Sequence, residues 1–554
     1  GDLLQAFAIQ NNKPKALQTL LNCGLKADGK QEVYLNGYKL GDLSLLTSAI
    51  TVKSAECVRL LLNNGAKTHD ANQAPETLPI YVAATSNLPE ITQALIDAGA
   101  DIRIKDHNHR SLLHIIAPNK ATETIKILCK AGADVNEAIA INGETPLMTA
   151  AAFNQIENLH ALIECGATLE AKDSDGCTAL AIAAACDNTY DTITALCKAK
   201  ADINTTDLSG KTPLMMAAYF NKVENMRALI TAGADVNRRD NNGDTALSIS
   251  IMHKNAEAVK LLCQAGANAT DTINGISMLE GAVCTNSVEI AETLIKYGAH
   301  QEIKNSTKAL FMAISNQSSS ITEMIIKSGG EINRPTQDGP PPLIAAIILS
   351  QPQIVRMLIE AGADVNIKDS SGSSALMCAS LRSQTEIINM LMEAGADLNI
   401  QDKKGRTALY SAVLLNRLQT AQQLLACGKN NETTLNQALS IAAKKGYEKH
   451  VELLLDAGAS PNYIDAEGYS ILLRQLDFSL EEIKAHLSAD GRDYTELVME
   501  RTGIKPNGEV YSRLDTEKAA AYKAQAIEEL TAAGVTFPVE LTYYIKGDNQ
   551  TAKD

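Results

Sequence analysis

Two short segments have the residue types of a phosphate-binding loop and of a metal site. Gly210-Lys211-Thr212 matches the end of such a loop, but the loop also requires a glycine at position 205, which is threonine here. His107 and His109 lie two residues apart and could occupy one side of a metal ion, but no neighbouring Cys or acidic residue is arranged to complete four ligands. We therefore expect no metal, nucleotide or other cofactor, and interpret both histidines as solvated turn residues.

Cysteines and carboxylates also give no sign of catalysis. The 11 cysteines include no Cys-x-x-Cys pair, which argues against zinc ribbons and thioredoxin-type motifs. Mostly buried free thiols and a reducing compartment are expected, with disulfides in a periplasmic protein as the alternative. Cys23, Cys165 and Cys427 stand where similar segments have alanine, which predicts small packing residues. Aspartates that recur at one place predict turn formation rather than acid–base chemistry; they are Asp173, Asp207, Asp240, Asp369 and Asp402.

Composition limits the class of protein. The 554 residues contain no Trp and only 6 Phe, yet 45% are hydrophobic, so Ala, Leu, Ile, Val and Met supply the apolar mass. These residues favour closely packed short helices over a large sheet. The net charge of −15 counts against general nucleic-acid binding, which needs a cationic surface. No apolar run reaches 18 residues, so no membrane span is expected.

A repeat of mostly 33 or 34 residues organises the chain. Ala-Gly-Ala-Asp-Val-Asn begins at residues 131, 232 and 361, and Thr-Pro-Leu stands in phase with it at 145–147 and 212–214. Lys200 replaces one of the recurrent glycines. Alignment on the leucine of the second motif gives 15 reference positions: Leu4, Leu45, Ile80, Leu113, Leu147, Leu180, Leu214, Leu247, Leu279, Leu310, Leu343, Leu376, Leu409, Leu439 and Leu472.

Each repeat predicts two helices and a hairpin. The Thr or Ser caps a first, Ala-rich helix, and proline at the first helical position loses no hydrogen bond. A second helix with apolar spacing follows, and the recurrent glycine ends it, as expected for a left-handed residue. Asp-Gly or Asn-Gly pairs then form a hairpin turn, as at Asp175-Gly176 and Asn242-Gly243.

This pattern resembles the ankyrin repeat, whose period is 33 residues with the motif Thr-Pro-Leu-His-x-Ala. Only His114 occupies the histidine of that motif, and the resemblance implies an internal hydrogen bond for it. The implied fold is all-α: an elongated, curved α-solenoid with short β-hairpin turns. We expect the solenoid at residues 1–491, with about 15 repeats, and a helical C-terminal capping region and tail at 492–554.

Two segments depart from the period. The step from Leu4 to Leu45 is 41 residues, so an insertion near 29–42 is expected to form a long hairpin, either a tolerated insertion or a contact arm. Short steps and clustered prolines at 300–342 predict an irregular seam that could divide the solenoid in two.

The expected binding surface is the concave groove of the stack. The resemblance implies partner contacts from hairpin tips and from the exposed end of the first helix, five and six residues after the reference leucine. Apolar residues at those positions indicate an interaction site, although packing between helices would also explain them. With their polar neighbours, the groove candidates are Phe153, Tyr219, Phe220, Met252, His253, Ile348, Leu349, Leu381, Arg382, Leu414 and Leu415.

Charged hairpin tips, here called fingertips, surround the groove. A charged rim around apolar groups is typical of protein or peptide recognition, although solvated tips are the simpler interpretation. The fingertip candidates are Arg103, Lys105, Lys172, Arg238, Arg239, Lys403 and Lys404.

The sequence thus favours a non-enzymatic scaffold that binds a protein or peptide partner, monomeric and cytoplasmic. One alternative is a bacterial effector secreted into a host cell, where it engages host proteins through its repeats. Another is an enzyme activity in residues 492–554. The chain begins with Gly1 rather than Met, so a removed signal peptide also stays open.

Overall fold

The computed structural model describes residues 2–35, 38–69, 74–300, 303, 307–335, 339–460 and 463. It has two compact units, here called the N-terminal block (Gly1–Ala299) and the C-terminal block (His300–Asp554). The expected fifteenth repeat, around Leu472, and the capping region at 492–554 lie outside the described residues. So does part of the expected seam, which therefore stays a prediction.

Helices alternate in pairs along both blocks, and each pair is one repeat. The first helices of repeats 1 to 14 are α1 (Asp2–Gln10), α3 (Leu45–Thr51), α5 (Pro79–Thr85), α7 (Leu112–Ile116), α9 (Pro146–Ala152), α11 (Ala179–Ala185), α13 (Pro213–Tyr219), α15 (Ala246–Met252), α17 (Met278–Cys284), α19 (Lys308–Ser315), α21 (Pro342–Ile348), α23 (Ala375–Leu381), α25 (Ala408–Leu414) and α27 (Glu432–Lys445).

The second helices follow in the same order. They are α2 (Pro14–Asn22), α4 (Ala55–Asn63), α6 (Pro89–Asp97), α8 (Thr122–Lys130), α10 (Ile156–Glu164), α12 (Tyr190–Lys198), α14 (Val223–Thr231), α16 (Ala256–Gln264), α18 (Val288–Leu294), α20 (Ser319–Lys327), α22 (Pro352–Glu360), α24 (Thr385–Glu393), α26 (Leu418–Leu425) and α28 (Glu448–Asp456). A 3-10 turn at Pro75–Thr77 and a π turn at Ile295–Ala299 are additional.

Two short antiparallel hairpins complete the described secondary structure. Strands β1 (Lys30–Leu35) and β2 (Tyr38–Ser44) pair from Lys30 opposite Ser44 to Leu35 opposite Tyr38. The hairpin expected from the insertion near 29–42 is therefore confirmed. Strands β3 (Thr272–Ile273) and β4 (Ile276–Ser277) form the other hairpin.

The first helices begin at the predicted caps. Thr145 Oγ1 accepts the backbone N–H of Met148, and Pro146 is the first residue of α9. The cap satisfies an N–H that has no partner inside the helix, and proline has no N–H to lose. Thr212 and Pro213 repeat this arrangement at α13.

The second helices end at residues in the left-handed conformation. The φ angles of Gly166 and Gly233 are 94° and 97°, as predicted for the recurrent glycine. Lys200, which replaces that glycine after α12, has a φ angle of 70°. A side chain is strained in this conformation, so repeat 6 contains a local conflict between residue type and backbone.

Within each block, the first helix of one repeat packs on the first helix of the next. Small residues make this close approach possible: Ala150 and Ala151 in α9 are completely buried. The alignment was wrong at the N-terminus, because Leu4 is 61% exposed while Gln5 is fully buried. The left-handed turn at Asn12 lies seven residues after Gln5, the spacing that separates Leu147 from Asn154, so Gln5 is the structural equivalent.

Polar contacts at two places in the repeat join successive repeats. Asn237 Nδ2 donates to the carbonyl oxygen of Gly266 (3.1 Å), and its Oδ1 accepts the N–H of Asn268 (2.9 Å). At the fingertips, the N–H of Asn241 donates to the carbonyl oxygen of Ser209 (3.0 Å). A Cβ at Gly210 would lie 2.9 Å from that nitrogen of Asn241, so only glycine allows the two turns to approach so closely.

Candidate protein-binding surface

The ends of the first helices are exposed because the chain turns there. Phe153 and Phe220 are the residues directly after α9 and α13, and each is followed by an asparagine in the left-handed conformation. Asn154 and Asn221 have φ angles of 53° and 60°. The turn directs the chain back into the second helix, so the residues before it lie at the edge of the helical layer.

We use the name aromatic patch for Phe153, Tyr219, Phe220, Met252 and His253. The rings of Tyr219 and Phe220 meet edge to face with centroids 5.1 Å apart, and those of Tyr219 and His253 do so at 5.0 Å. Phe153 is 60% exposed and Met252 68% exposed, while Tyr219 and Phe220 are each nearly half exposed. The structure thus brings together the residues of repeats 7 and 8.

Phe153 is two repeats away from Tyr219 and Phe220. Repeat 6 lies between them, with Ala185 and Cys186 at the equivalent positions. The rings of Phe153 and Phe220 are therefore separate candidates for contact with a partner. Their role in binding stays a prediction.

Lys211 contacts the aromatic patch, and sequence reasoning missed this contact. Its Nζ lies 4.8 Å from the centroid of the Tyr219 ring, which is a cation–π contact. Ile141 and Leu208, which are exposed by 76% and 73% in the hairpins before repeats 5 and 7, were also missed. The available signal was an apolar residue in a turn where neighbouring turns have Ser or Asn.

The C-terminal block exposes aliphatic residues at the same helix position. We use the name leucine row for Ile348, Leu349, Leu381, Leu414 and Leu415, at the ends of α21, α23 and α25. Four of them are 37% to 44% exposed, and Leu414 is half-buried. Packing between helices therefore covers only part of each side chain, and Arg382 stands exposed among them.

Three fingertip cations contact the following repeat. Lys105 Nζ lies 2.6 Å from Glu137 Oε1, and Lys172 Nζ donates to the carbonyl oxygen of Thr206 (2.7 Å). Arg239 donates to the carboxylate of Asp271. These contacts give the three side chains a role in joining repeats.

The other four fingertip candidates are exposed, and no ion pair is recorded for them within the described residues. They are Arg103, Arg238, Lys403 and Lys404.

The recurrent aspartates form turns, as predicted. Asp402 Oδ1 accepts the backbone N–H groups of Lys404 (2.8 Å) and Arg406 (2.9 Å), and its Oδ2 pairs with the Arg406 guanidinium. Burial alone would raise the pKa of Asp402, but the hydrogen bonds and the positive charge of Arg406 outweigh it and lower that pKa. Asp240 makes the same turn, but Asp244 replaces the arginine and Asp240 Oδ2 is buried without a hydrogen bond.

His107 and His109, which were expected in the fingertip turn, have different surroundings there. His107 Nδ1 lies 2.8 Å from Glu76 Oε1, and its backbone N–H also donates to that oxygen. These hydrogen bonds lower the pKa of Glu76 to about 2. His109 is exposed in the left-handed turn, with a φ angle of 60°. Among the residues that the structure describes, no three His, Cys, Asp or Glu side chains form a metal-binding group.

His114 makes the internal hydrogen bond that the resemblance implied. It is buried, and its Nδ1 accepts the N–H of Ser111 (3.3 Å). Nε2 therefore carries the proton and donates to the carbonyl oxygen of Glu144 (3.0 Å), in the turn before repeat 5. Burial lowers the pKa of His114, so the neutral ring is the folded form.

All eleven cysteines are free thiols, but only four of them are buried, so the expectation that most would be buried was wrong. Burial raises the pKa of Cys263 and Cys378 to about 11, which keeps these thiols protonated. The prediction of a packing role was wrong for Cys23, which is exposed. The position before the helix-ending glycine lies at the outer end of the second helix, where Ala98 and Ala131 are exposed too.

Comparison with known families identifies the repeat. The family model described as "Ankyrin repeats (3 copies)" matches residues 4–106, 80–173, 113–207, 165–240, 214–305, 310–402 and 376–465. The chain belongs to the ankyrin-repeat family, and this membership indicates a protein–protein interaction scaffold. No helix in the described part of the chain has the length and apolar content needed to cross a bilayer.

Individual relatives match over shorter stretches. Mouse "B-cell lymphoma 3 protein homolog" is 25% identical over 231 residues, which are 41% of this chain and 50% of that protein. Rat "Diacylglycerol kinase zeta" is 37% identical over 87 residues, which are 16% of this chain and 9% of that protein. The chain thus spans half or less of the length of these two curated relatives. The solved ankyrin repeat domain of Bcl-3 is 24% identical, with coverage of 36% of this chain and 93% of that chain and a TM-score of 0.34.

Proposed function

We propose that this protein is a non-enzymatic scaffold that binds a protein or peptide partner through the ends of its first helices. The family implies that these ends face the concave side of the stack. The observation that carries the proposal is the exposure of large apolar side chains at this one helix position in several repeats. In a chain with only 6 Phe, Phe153 and Phe220 occupy it and are exposed by 60% and 46%.

The chemistry of this surface fits recognition by contact. Aromatic side chains provide a large contact area with few rotatable bonds, and binding energy in interfaces concentrates on such residues. The edge-to-face contacts of Tyr219 with Phe220 and His253 hold these rings in place before a partner arrives. Less conformational entropy is then lost on binding.

A crosslinking pull-down from the organism's own extract tests the proposal. Phe220→Ala and Leu381→Asp should each lose at least one partner that the unaltered chain captures. The matched control is Tyr297→Ala, because Tyr297 is 38% exposed but follows a second helix. If all partners are retained by both variants, or lost equally with Tyr297→Ala, the proposed surface is wrong.

A further inference from the structure

Arginine interrupts the leucine row at the position directly after the first helix. Leu349, Arg382 and Leu415 follow α21, α23 and α25 respectively, so this position is leucine, arginine and leucine in three successive repeats. All three side chains are exposed. Because packed helices lie about 10 Å apart, the arginine stands roughly that far from each leucine.

More positive charge lies at the same edge. Arg417 is exposed at the residue before α26. At the equivalent positions, Gln351 and Gln384 each donate to a carbonyl oxygen in the first helix of the preceding repeat. In repeat 14 the first helix ends on Lys444 and Lys445, which are both exposed. The edge thus bears cations beside its apolar side chains.

No negative charge accompanies Arg382 and Arg417 at the ends of the first helices of repeats 11 to 13. In segments 342–351, 375–384 and 408–417 the only charged residues are Arg382 and Arg417. Neither has a recorded ion pair with any residue that the structure describes. Carboxylates of repeats 11 and 12 lie on the second helices, where Arg356 pairs with Glu386 at 3.6 Å, and in the turns that follow them, as at Asp369 and Asp402. The helix ends that form the row therefore carry only positive charge, in a chain whose net charge is −15.

We propose that the leucine row binds an acidic amphipathic segment of a partner protein, with Leu, Ile or Phe side chains and with Asp or Glu between them. This inference rests on the proposed function and specifies the partner of the same surface. The apolar side chains of the segment cover Leu349, Leu381 and Leu415, and a carboxylate forms a two-pronged hydrogen bond with the Arg382 guanidinium. An extended segment advances about 3.3 Å per residue, so roughly three of its residues span one repeat.

Attraction between the row and such a segment depends on salt. Exposed charges are screened within about 10 Å at 0.1 M salt, so a high salt concentration weakens the charged part of the interaction. The apolar part persists, because burial of apolar surface does not depend on the charges. Binding that weakens with salt but also requires Leu381 is therefore the signature of this surface.

Selection from a displayed library of random 16-residue peptides on the full chain tests the inference. The row-dependent peptides should have net negative charge with Leu, Ile or Phe. Their Kd should rise at least tenfold with Leu381→Asp, with Arg382→Glu, and between 50 and 500 mM NaCl. Arg356→Glu reverses an exposed charge on a second helix of the same block and should change the Kd less than twofold.

The outcomes separate the inference from the function beneath it. Row-dependent peptides that are neutral or basic overturn the acidic partner and leave the proposed function standing. Selected peptides that are insensitive to both Leu381→Asp and Phe220→Ala count against the proposed function itself. Binding of phosphatidylserine vesicles that Arg382→Glu abolishes, without acidic peptides among those selected, assigns the row to a membrane surface and overturns the inference. Circular dichroism of each variant verifies that it folds.

Discussion

Replacement of His114 with methionine should remove one hydrogen bond between repeats 4 and 5 and keep the helix cap. In the unaltered chain, His114 accepts the N–H of Ser111 and donates to the carbonyl oxygen of Glu144. Methionine at the same position in repeat 5 accepts the equivalent N–H, since Met148 Sδ lies 3.4 Å from the Thr145 nitrogen. A thioether has no proton to donate, so His114→Met loses the bond to Glu144. It also weakens the contact of Ser111 Oγ, which lies 2.7 Å from His114 Nδ1, because sulfur is a weak acceptor.

The bond to Glu144 sets the minimum size of this loss of stability. A net contribution of about 1 kcal/mol is typical of a hydrogen bond between neutral groups in a protein. The Glu144 carbonyl oxygen also accepts the N–H of Ile139 at 2.9 Å, so the substitution does not leave it without a donor. We therefore expect a loss of about 1 kcal/mol or more in local stability at pH 8, with no added penalty at the Glu144 oxygen and a smaller one at Ser111 Oγ.

The loss should depend on pH in a defined direction. Burial lowers the pKa of His114 in the folded chain below its value of about 6.5 in an unfolded one. Its stabilising contribution is present above the unfolded pKa and is lost as the pH falls through the folded pKa, because burial disfavours the protonated ring. The buried His450, whose pKa is also lowered, titrates in both proteins and cancels from the difference.

Hydrogen exchange followed by mass spectrometry measures this loss of stability locally. The method suits a repeat protein, because its segments open separately. In peptides that cover 111–117, His114→Met should lower protection against exchange by at least about fivefold at pH 8, the equivalent of about 1 kcal/mol. The ratio should approach one at pH 5. The matched converse, Met148→His, should raise protection of repeat 5 at pH 8 by a bond to the carbonyl oxygen of Cys177. An equal loss at both pH values would refute the assignment of the neutral, Nε2-protonated ring.

Three further substitutions or reactions test other contacts. Lys200→Gly should raise the free energy of unfolding by about 1 kcal/mol in urea denaturation, because glycine adopts the observed φ of 70° without strain; a lower value would contradict this. Arg406→Ala should lower the free energy of unfolding by about 1 kcal/mol, because the buried Asp402 oxygen loses a partner that is itself partly solvated. An unchanged free energy would contradict this and show that water replaces the arginine. Thiol titration of the native chain should modify Cys23 and Cys284 first, since both are exposed, and equal rates for all eleven cysteines would contradict the described burial.

Local interactions explain why the repeat could be predicted from the sequence. The Thr145 cap, the proline after it and the turn at Asp402 each depend on residues within four positions along the chain. Such contacts form wherever the short motif occurs, because their partners are already close in sequence. The period, the helix starts, the turns and the hairpin near 29–42 were accordingly predicted correctly.

Errors occurred where exposure depended on neighbouring repeats. Leu4 was aligned as a core residue, but Gln5 occupies that position and is fully buried. Cys23 was assigned to packing because alanine is common at its position, yet that position lies at the outer end of the second helix. Residue type alone could not separate the buried position from the exposed one in either case. An apolar or small residue beside a buried position looks the same in the sequence as a residue that is itself buried.

The sequence by itself determined a stack of helix pairs, the beginning and end of most helices, and the candidate positions at the ends of the first helices. Only the tertiary structure decided how exposed those candidates are. It alone showed that Tyr219 contacts Phe220, His253 and Lys211. It also showed that three fingertip cations contact the next repeat, namely Lys105, Lys172 and Arg239. The physical reason is distance along the chain. Helix caps and turns join residues a few positions apart, whereas the binding surface joins residues about one period apart, which only the stacking of repeats brings together.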